Sequence, residues 1–164
     1  MPGTNPALVV SAAVGRGATL ACGESLTGGA LCAALVDVPG ASAVVRGGVV
    51  AYQVDVKHDL LGVPQGPLDD PGPVSETVAL AMARGVRERL GASLGIATTG
   101  VAGPEAHGGK EPGTVCVAVV WPGGEATRTV RLAGDRAQVR AGAVDAALAM
   151  ALQVLEDPSH QGSW

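Results

Sequence analysis

Residues 19–36 read TLACGESLTGGALCAALV, and three textures follow one another along that stretch. Thr19 to Cys22 is short and apolar, as a buried strand is. Gly23-Glu24-Ser25-Leu26-Thr27-Gly28-Gly29 is a polar, glycine-rich turn, and Ala30 to Val36, rich in Ala and Leu, suits a helix. Strand, polar turn and helix in that order begin an α/β fold, and the same alternation extends in both directions from it.

Upstream, Thr4 or Asn5 can cap a helix with Pro6 in its first turn; Leu8, Val9, Ala12 and Ala13 fit one face of it and Gly17 ends it. Downstream, after the turn at Pro39-Gly40, Val44 to Tyr52 reads as a strand, with Gly47-Gly48 marking a bulge or a close backbone approach. Val54 to Leu61 reads as a short helix, and Gly62 to Pro73, with four prolines, as a loop. Ser75 caps a helix that runs through Val78, Met82 and Val86 to Leu90, and Leu94 to Thr98 is a buried strand before the Gly- and Pro-rich loop Gly100 to Gly113. Thr114 to Trp121 and Ala126 to Leu132 are strands joined as a hairpin by Pro122-Gly123-Gly124; Asp135 then caps a last helix ending near Leu155. The pattern predicts a three-layer α/β/α sandwich with a mixed sheet, as one domain over residues 1–156 and a flexible tail over 157–164.

Hydrophobic residues make up 47% of the 164 and aromatic ones only 2%, with no Phe, so the core must be built from Val, Leu and Ala in closely packed elements. The net charge of −4 is dispersed, with no basic stripe or aromatic-studded strand for nucleic acid. No apolar run reaches the ~18 residues of a membrane span, and MPGTNPALVV lacks the basic start and cleavage pattern of a signal peptide, so a cytoplasmic protein is expected. Cys22, Cys32 and Cys116 are far apart, with no CxxC and no His at ligand spacing; they read as small hydrophobes, and no metal or cofactor is expected.

Ligands in open α/β sheets bind beyond the carboxyl ends of strands, which selects four segments: Glu24 to Gly29, Gly40 to Ser42, Tyr52 to Lys57 and Thr98 to Pro104. Ser25 or Thr27 at a helix start either caps the helix or faces a ligand, with Gly28 and Gly29 letting a substrate approach the backbone. The pattern is not the GxSxG elbow, because Thr27 takes the place of its second glycine. Lys57 is one of two lysines against nine arginines, and a lysine can lose its proton to serve as a base where an arginine cannot; composition bias explains the arginine excess equally well. Tyr52, the only tyrosine, stands five positions earlier and reads either as a pocket residue or as packing. Thr99 and Gly100 open a loop able to cradle a phosphate, although it is not a P-loop, since Glu111 follows Gly109-Lys110. Arg136 and Arg140, four apart on a helix, share one face and either bind an anion or are solvated.

Taken together and in order, Glu24-Ser25-Leu26-Thr27-Gly28-Gly29, Pro39-Gly40-Ala41-Ser42, Arg46-Gly47, Tyr52 with Lys57, Leu61-Gly62-Val63, Val74-Ser75, Thr99-Gly100-Val101-Ala102-Gly103-Pro104, Gly113-Thr114-Val115 and Gly134-Asp135-Arg136 resemble the CinA C-terminal domain family. The resemblance spans most of residues 5–155. It implies a nicotinamide-nucleotide amidase that converts nicotinamide mononucleotide and water to nicotinate mononucleotide and ammonia without metal or cofactor. Many members carry a further N-terminal domain, and the expectation here is the stand-alone form, acting as a homo-oligomer, a dimer. Two departures are visible: Leu26 stands where the family often has Cys, and Glu105 to Glu111 differs from the usual Gly-rich stretch and carries His107.

The resemblance further implies Ser25 as nucleophile, assisted by Lys57 directly or through Ser42, with Tyr52 nearby. Thr27, Gly28, Gly29, Gly40, Thr99, Gly100, Arg136 and Arg140 are the expected substrate-binding residues, and backbone N–H groups at the start of the following helix are expected to hold the oxyanion. The alternative is a non-catalytic nucleotide-binding or competence/damage-associated regulatory protein of the same fold.

Overall fold

The computed structural model describes residues 3–160 and 164. Among these are six α-helices and five strands, in the order α1 (Pro6–Arg16), β1 (Leu20–Glu24), α2 (Ala30–Val36), β2 (Val45–Val50), α3 (Val54–Leu61), α4 (Gln65–Asp69), α5 (Glu76–Leu90), β3 (Leu94–Gly100), β4 (Thr114–Trp121), β5 (Gly124–Arg131) and α6 (Arg136–Glu156). The sheet order is β2-β1-β3-β4-β5; β2, β1 and β3 are parallel, and β4 and β5 are antiparallel. Helices α1, α2 and α6 cover one face and α3, α4 and α5 the other, each over its own apolar cluster. This is the α/β sandwich with a mixed sheet that the pattern predicts.

Side chains alternate across the sheet with a period of two, and the two faces differ in size. Leu20, Cys22, Leu94, Ile96, Val115, Val117 and Val119 point into the α1/α2/α6 layer. Ala21, Ala97, Cys116 and Ala118 point the other way, joined there by Gly23 and Gly95. Small residues on that face let α5 approach so closely that a methyl group at Gly95 would collide with the Ala83 carbonyl. A core without Phe is filled by bringing backbones together.

The local signals act where expected at most ends. The Asn5 side chain accepts from Ala7 N–H to cap α1, Ser75 does so from Val78 N–H at α5, and Asp135 with Gln138 forms a full capping box at α6. The register between β1 and β2 slips between Leu20 and Ala21, opposite Val45 and Gly47, which is the expected bulge; Gly47 has φ 143°. A Cβ at Gly48 would lie 3.1 Å from the Cys32 Sγ, so the close approach is there too.

Three expectations are corrected. Gly62 to Pro73 is not all loop, since Gln65–Asp69 forms α4 around the buried Leu68. The buried stripe of α1 is Val9, Val10 and Ala13, while Leu8 is 52% exposed. Strands β1 and β3 extend two residues further than predicted, to Glu24 and Gly100. The expected flexible tail, 157–164, includes residues 161–163, which lie outside those described; Arg16 donates to the Leu155 and Asp157 carbonyls at 2.7 and 2.9 Å, and the His160 ring lies 4.6 Å from that of Trp121. Among the described residues, no helix is long and apolar enough to cross a membrane.

Candidate active site

From β1 the chain passes to β2 on one side, with α2 as the crossover, and β3 lies on the other side of β1, reached through α5 on the opposite face. The crevice beyond the carboxyl ends of β1 and β3 is thus a topological switch point, where neighbouring loops diverge and leave room for a ligand. Ser25 follows β1 directly, its N–H donating to the Thr98 carbonyl of β3 at 3.0 Å. Tyr52 and Lys57 follow β2, and Thr99 to Gly103 close β3.

Lys57 lies in the first turn of α3, only 2% exposed, and its stem folds back over the end of β2. Nζ makes three hydrogen bonds: to Ser25 Oγ at 2.9 Å, to the Ala51 carbonyl at 2.9 Å and to the Tyr52 carbonyl at 3.0 Å. Among the described residues no carboxylate pairs with it. Burial without a counter-charge brings its pKa down from 10.5 to about 8. At pH 7 about a tenth of amines with such a pKa is unprotonated. In that state two N–H bonds remain on the two carbonyls, and the lone pair points at the Ser25 hydroxyl.

The turn that carries Ser25 is held from three sides. Glu24, 1% exposed, accepts from the N–H groups of Gly29, Leu31 and Cys32 at 2.8–3.0 Å and so occupies the start of α2. Arg140 donates to the Leu26 and Thr27 carbonyls, both at 2.9 Å, and Thr27 Oγ1 bonds Thr98 Oγ1 at 2.7 Å. Gly28 and Gly29, at φ 60° and 98°, complete a bend that side chains other than Gly rarely adopt. The expected oxyanion donors at the start of α2 are therefore taken by Glu24. Among the described residues, the N–H groups of Leu26 and Thr27 have no acceptor.

A cavity of about 280 Å³ opens in front of the pair, at the small end of the ~300–1,000 Å³ typical of ligand sites. Its walls include Ser25, Lys57, Tyr52, Thr99, Gly100 and Arg136 among the expected residues, together with Gln53, Glu105 and His107. The Arg136 guanidinium spans the rim, donating to the Tyr52 hydroxyl at 3.0 Å and the Gly103 carbonyl at 2.8 Å. Thr99 donates to the Pro73 carbonyl at 2.7 Å, so its hydroxyl hydrogen is committed.

Six expected residues have other surroundings. Gly28 and Gly29 form the bend of the turn, and Thr27 and Arg140 brace it, instead of lining the cavity. Ser42, in the 3-10 turn Ala41–Ala43, and Gly40 precede β2 and lie beside its start, in a separate depression with Cys32 and Arg46. The length of β1, on the order of 15 Å at ~3.3 Å per residue, separates that edge from Ser25. Ser42 is thus at the wrong end of the sheet to relay a proton, and Lys57 meets Ser25 directly. Glu24, Gln53, Glu105 and Arg140's bracing role were not read from the sequence; the only advance signal was that Glu24 precedes a helix by a few residues, as a capping acid does.

A buried serine–lysine pair at the switch point of a doubly wound sheet defines an α/β protein with the makings of a nucleophilic site. Residues 4–155 match the CinA C-terminal domain model, and the chain belongs to that family. It is 51% identical over 148 residues to a CinA-like protein of Frankia casuarinae and 43% identical over 145 residues to one of Chlorobium limicola, covering 90% and 85% of this chain. Each alignment covers 34% of the relative, so the chain spans about a third of the length of these curated relatives. Among solved structures it is similar to a competence-damaged protein (CinA) superfamily protein from Klebsiella pneumoniae, with TM-score 0.88 at 35% identity over 92% of this chain and 94% of that one. A competence or damage-inducible protein from Enterobacter asburiae gives TM-score 0.89 at 33% identity over 94% of this chain and 100% of that one.

Proposed function

We propose that the chain is an amidohydrolase that converts nicotinamide mononucleotide to nicotinate mononucleotide and ammonia through Ser25. The observation that carries this reading is the 2.9 Å contact between Lys57 Nζ and Ser25 Oγ, made by a lysine that burial has moved towards neutrality. The resemblance to nicotinamide-nucleotide amidases supplies the substrate.

Neutral Lys57 takes the Ser25 proton as Oγ attacks the carboxamide carbon. The unpaired N–H of Leu26, in the peptide after the nucleophile and at the cavity wall, stabilises the oxyanion. The Lys57 ammonium returns its proton to the departing nitrogen, ammonia leaves, and an ester to Ser25 remains. Water, deprotonated by Lys57, attacks that ester; the tetrahedral intermediate collapses to the acid, and the proton goes back to Ser25 Oγ.

The test is ammonia and nicotinate mononucleotide formed in equal amounts from nicotinamide mononucleotide by the purified chain, and their loss in Ser25→Ala. A folded Ser25→Ala protein with near-normal turnover overturns the serine mechanism. A wild-type chain that forms neither product favours the non-catalytic nucleotide-binding alternative.

A further inference from the structure

Two polar residues of the β3–β4 loop line the cavity without a part in this chemistry: Glu105 and His107. His107 is set by the backbone. It exchanges two hydrogen bonds of 3.0 Å with Lys110 across Gly108 and Gly109, whose φ values of 57° and 73° make a two-residue turn of the type I′ kind. The roots of the loop are fixed as well. Val101 accepts from Gly113 N–H and donates to the Thr114 carbonyl, both at 2.8 Å, and Arg136 holds the Gly103 carbonyl. A hairpin pinned in this way presents its side chains to the cavity at a defined place.

Building on the nucleotide part of the proposed function, we propose that this hairpin recognises the sugar–phosphate end of the substrate, with His107 and Arg136 on the phosphate and Glu105 on the ribose hydroxyls. Among the cavity-lining residues only Lys57, His107 and Arg136 can present positive charge, and Lys57 is buried on Ser25 and two carbonyls. Arg140 is committed to the Leu26 and Thr27 carbonyls. Arg136 uses one nitrogen on Tyr52 and one on Gly103, and a guanidinium has further N–H groups to offer an anion. Glu105, an acceptor, cannot bind a phosphate, but a carboxylate matches a ribose diol. One loop thus carries the two chemistries that a nucleoside monophosphate presents side by side.

The test measures binding apart from turnover, by calorimetry on Ser25→Ala protein with nicotinamide mononucleotide and nicotinamide riboside as probes. The Ser25→Ala parent is expected to bind the mononucleotide more tightly than the riboside. Adding His107→Ala is expected to weaken the mononucleotide by about tenfold or more, as loss of a charge-assisted hydrogen bond does, and the riboside by less than about twofold. Adding Glu105→Gln is expected to weaken both to the same degree. Equal binding of the two probes by the parent, or a His107→Ala effect that is nil or the same for both, overturns the assignment. Phosphate-dependent binding through His107 in a chain that releases no ammonia with Ser25 restored contradicts the amidase reading alone. Hydrolysis of the mononucleotide with its preference over the riboside unchanged in His107→Ala contradicts this inference alone.

Discussion

Two of the three hydrogen-bond directions of Lys57 end on main-chain carbonyls, and the third ends on a hydroxyl. An amine so placed loses little geometry when it loses its proton, because the carbonyls still take its two remaining hydrogens. The sign of the pH dependence follows. The base is competent when neutral, burial lowers its pKa to about 8, and the active fraction therefore rises with pH towards that value and levels off above it. The proposed amidase is expected to show kcat/KM falling about tenfold per pH unit below this point and flat above it until another group titrates; initial rates from pH 6 to 10 measure it. A profile flat from pH 6 upward contradicts a base with that pKa. The sequence pointed to Lys57 through the family resemblance, since composition bias explains a lysine among so many arginines equally well. It was silent about Glu24 and Arg140, whose partners are backbone groups that no residue pattern announces.

Helix α2 begins on a carboxylate, and its free N–H groups are filled before a substrate arrives. From sequence, a serine at a glycine-rich helix start looks like an anion site, and only the folded turn shows that Glu24 holds it. Arg140 belongs to the same unit: it fixes the carbonyls of Leu26 and Thr27, the next two along the chain after the Ser25–Leu26 peptide that carries the proposed oxyanion donor. Arg140→Met is expected to lower kcat by about tenfold or more with KM little changed, because a loosened turn misplaces the nucleophile. A rise in KM alone returns Arg140 to the phosphate-binding role that its helical spacing from Arg136 suggests. On the other face, α3 and α5 meet at Gly85, where an added methyl would collide with the Leu61 carbonyl. Gly85→Ala is expected to cost about 1–3 kcal/mol by overpacking, measured by urea unfolding, and to lower kcat because α3 carries Lys57. Unchanged stability contradicts that packing. Helix α4 escaped the sequence reading because its prolines looked like breakers. Pro64 is its N-cap and Pro67 lies in its first turn, where a missing N–H costs nothing, and the single buried Leu68 is too little periodicity to see.

Across the whole molecule, the order of elements and the mixed sheet were legible because strand, turn and helix signals follow one another closely and side-chain caps mark the starts of α1, α5 and α6. What the order could not convey was strand direction in space. Gly40 and Ser42 stand in the chain between Ser25 and Lys57, yet they lie at the opposite edge of the sheet, because β2 must start where β1 starts for the two to run parallel. Ser25, Tyr52 and Thr99 come together for the complementary reason: each lies at or just past the carboxyl end of a parallel strand. The fold thereby brings a serine hydroxyl from one strand and a desolvated amine from its neighbour to one point, where the amine is proposed to act as a base. Steady-state kinetics of Lys57→Arg and Lys57→Ala on nicotinamide mononucleotide test it most directly. Both variants are expected to lose kcat by about 100-fold or more, since arginine keeps the charge but cannot give up its proton; a Lys57→Arg enzyme with near-normal kcat and only a raised KM would contradict the base role.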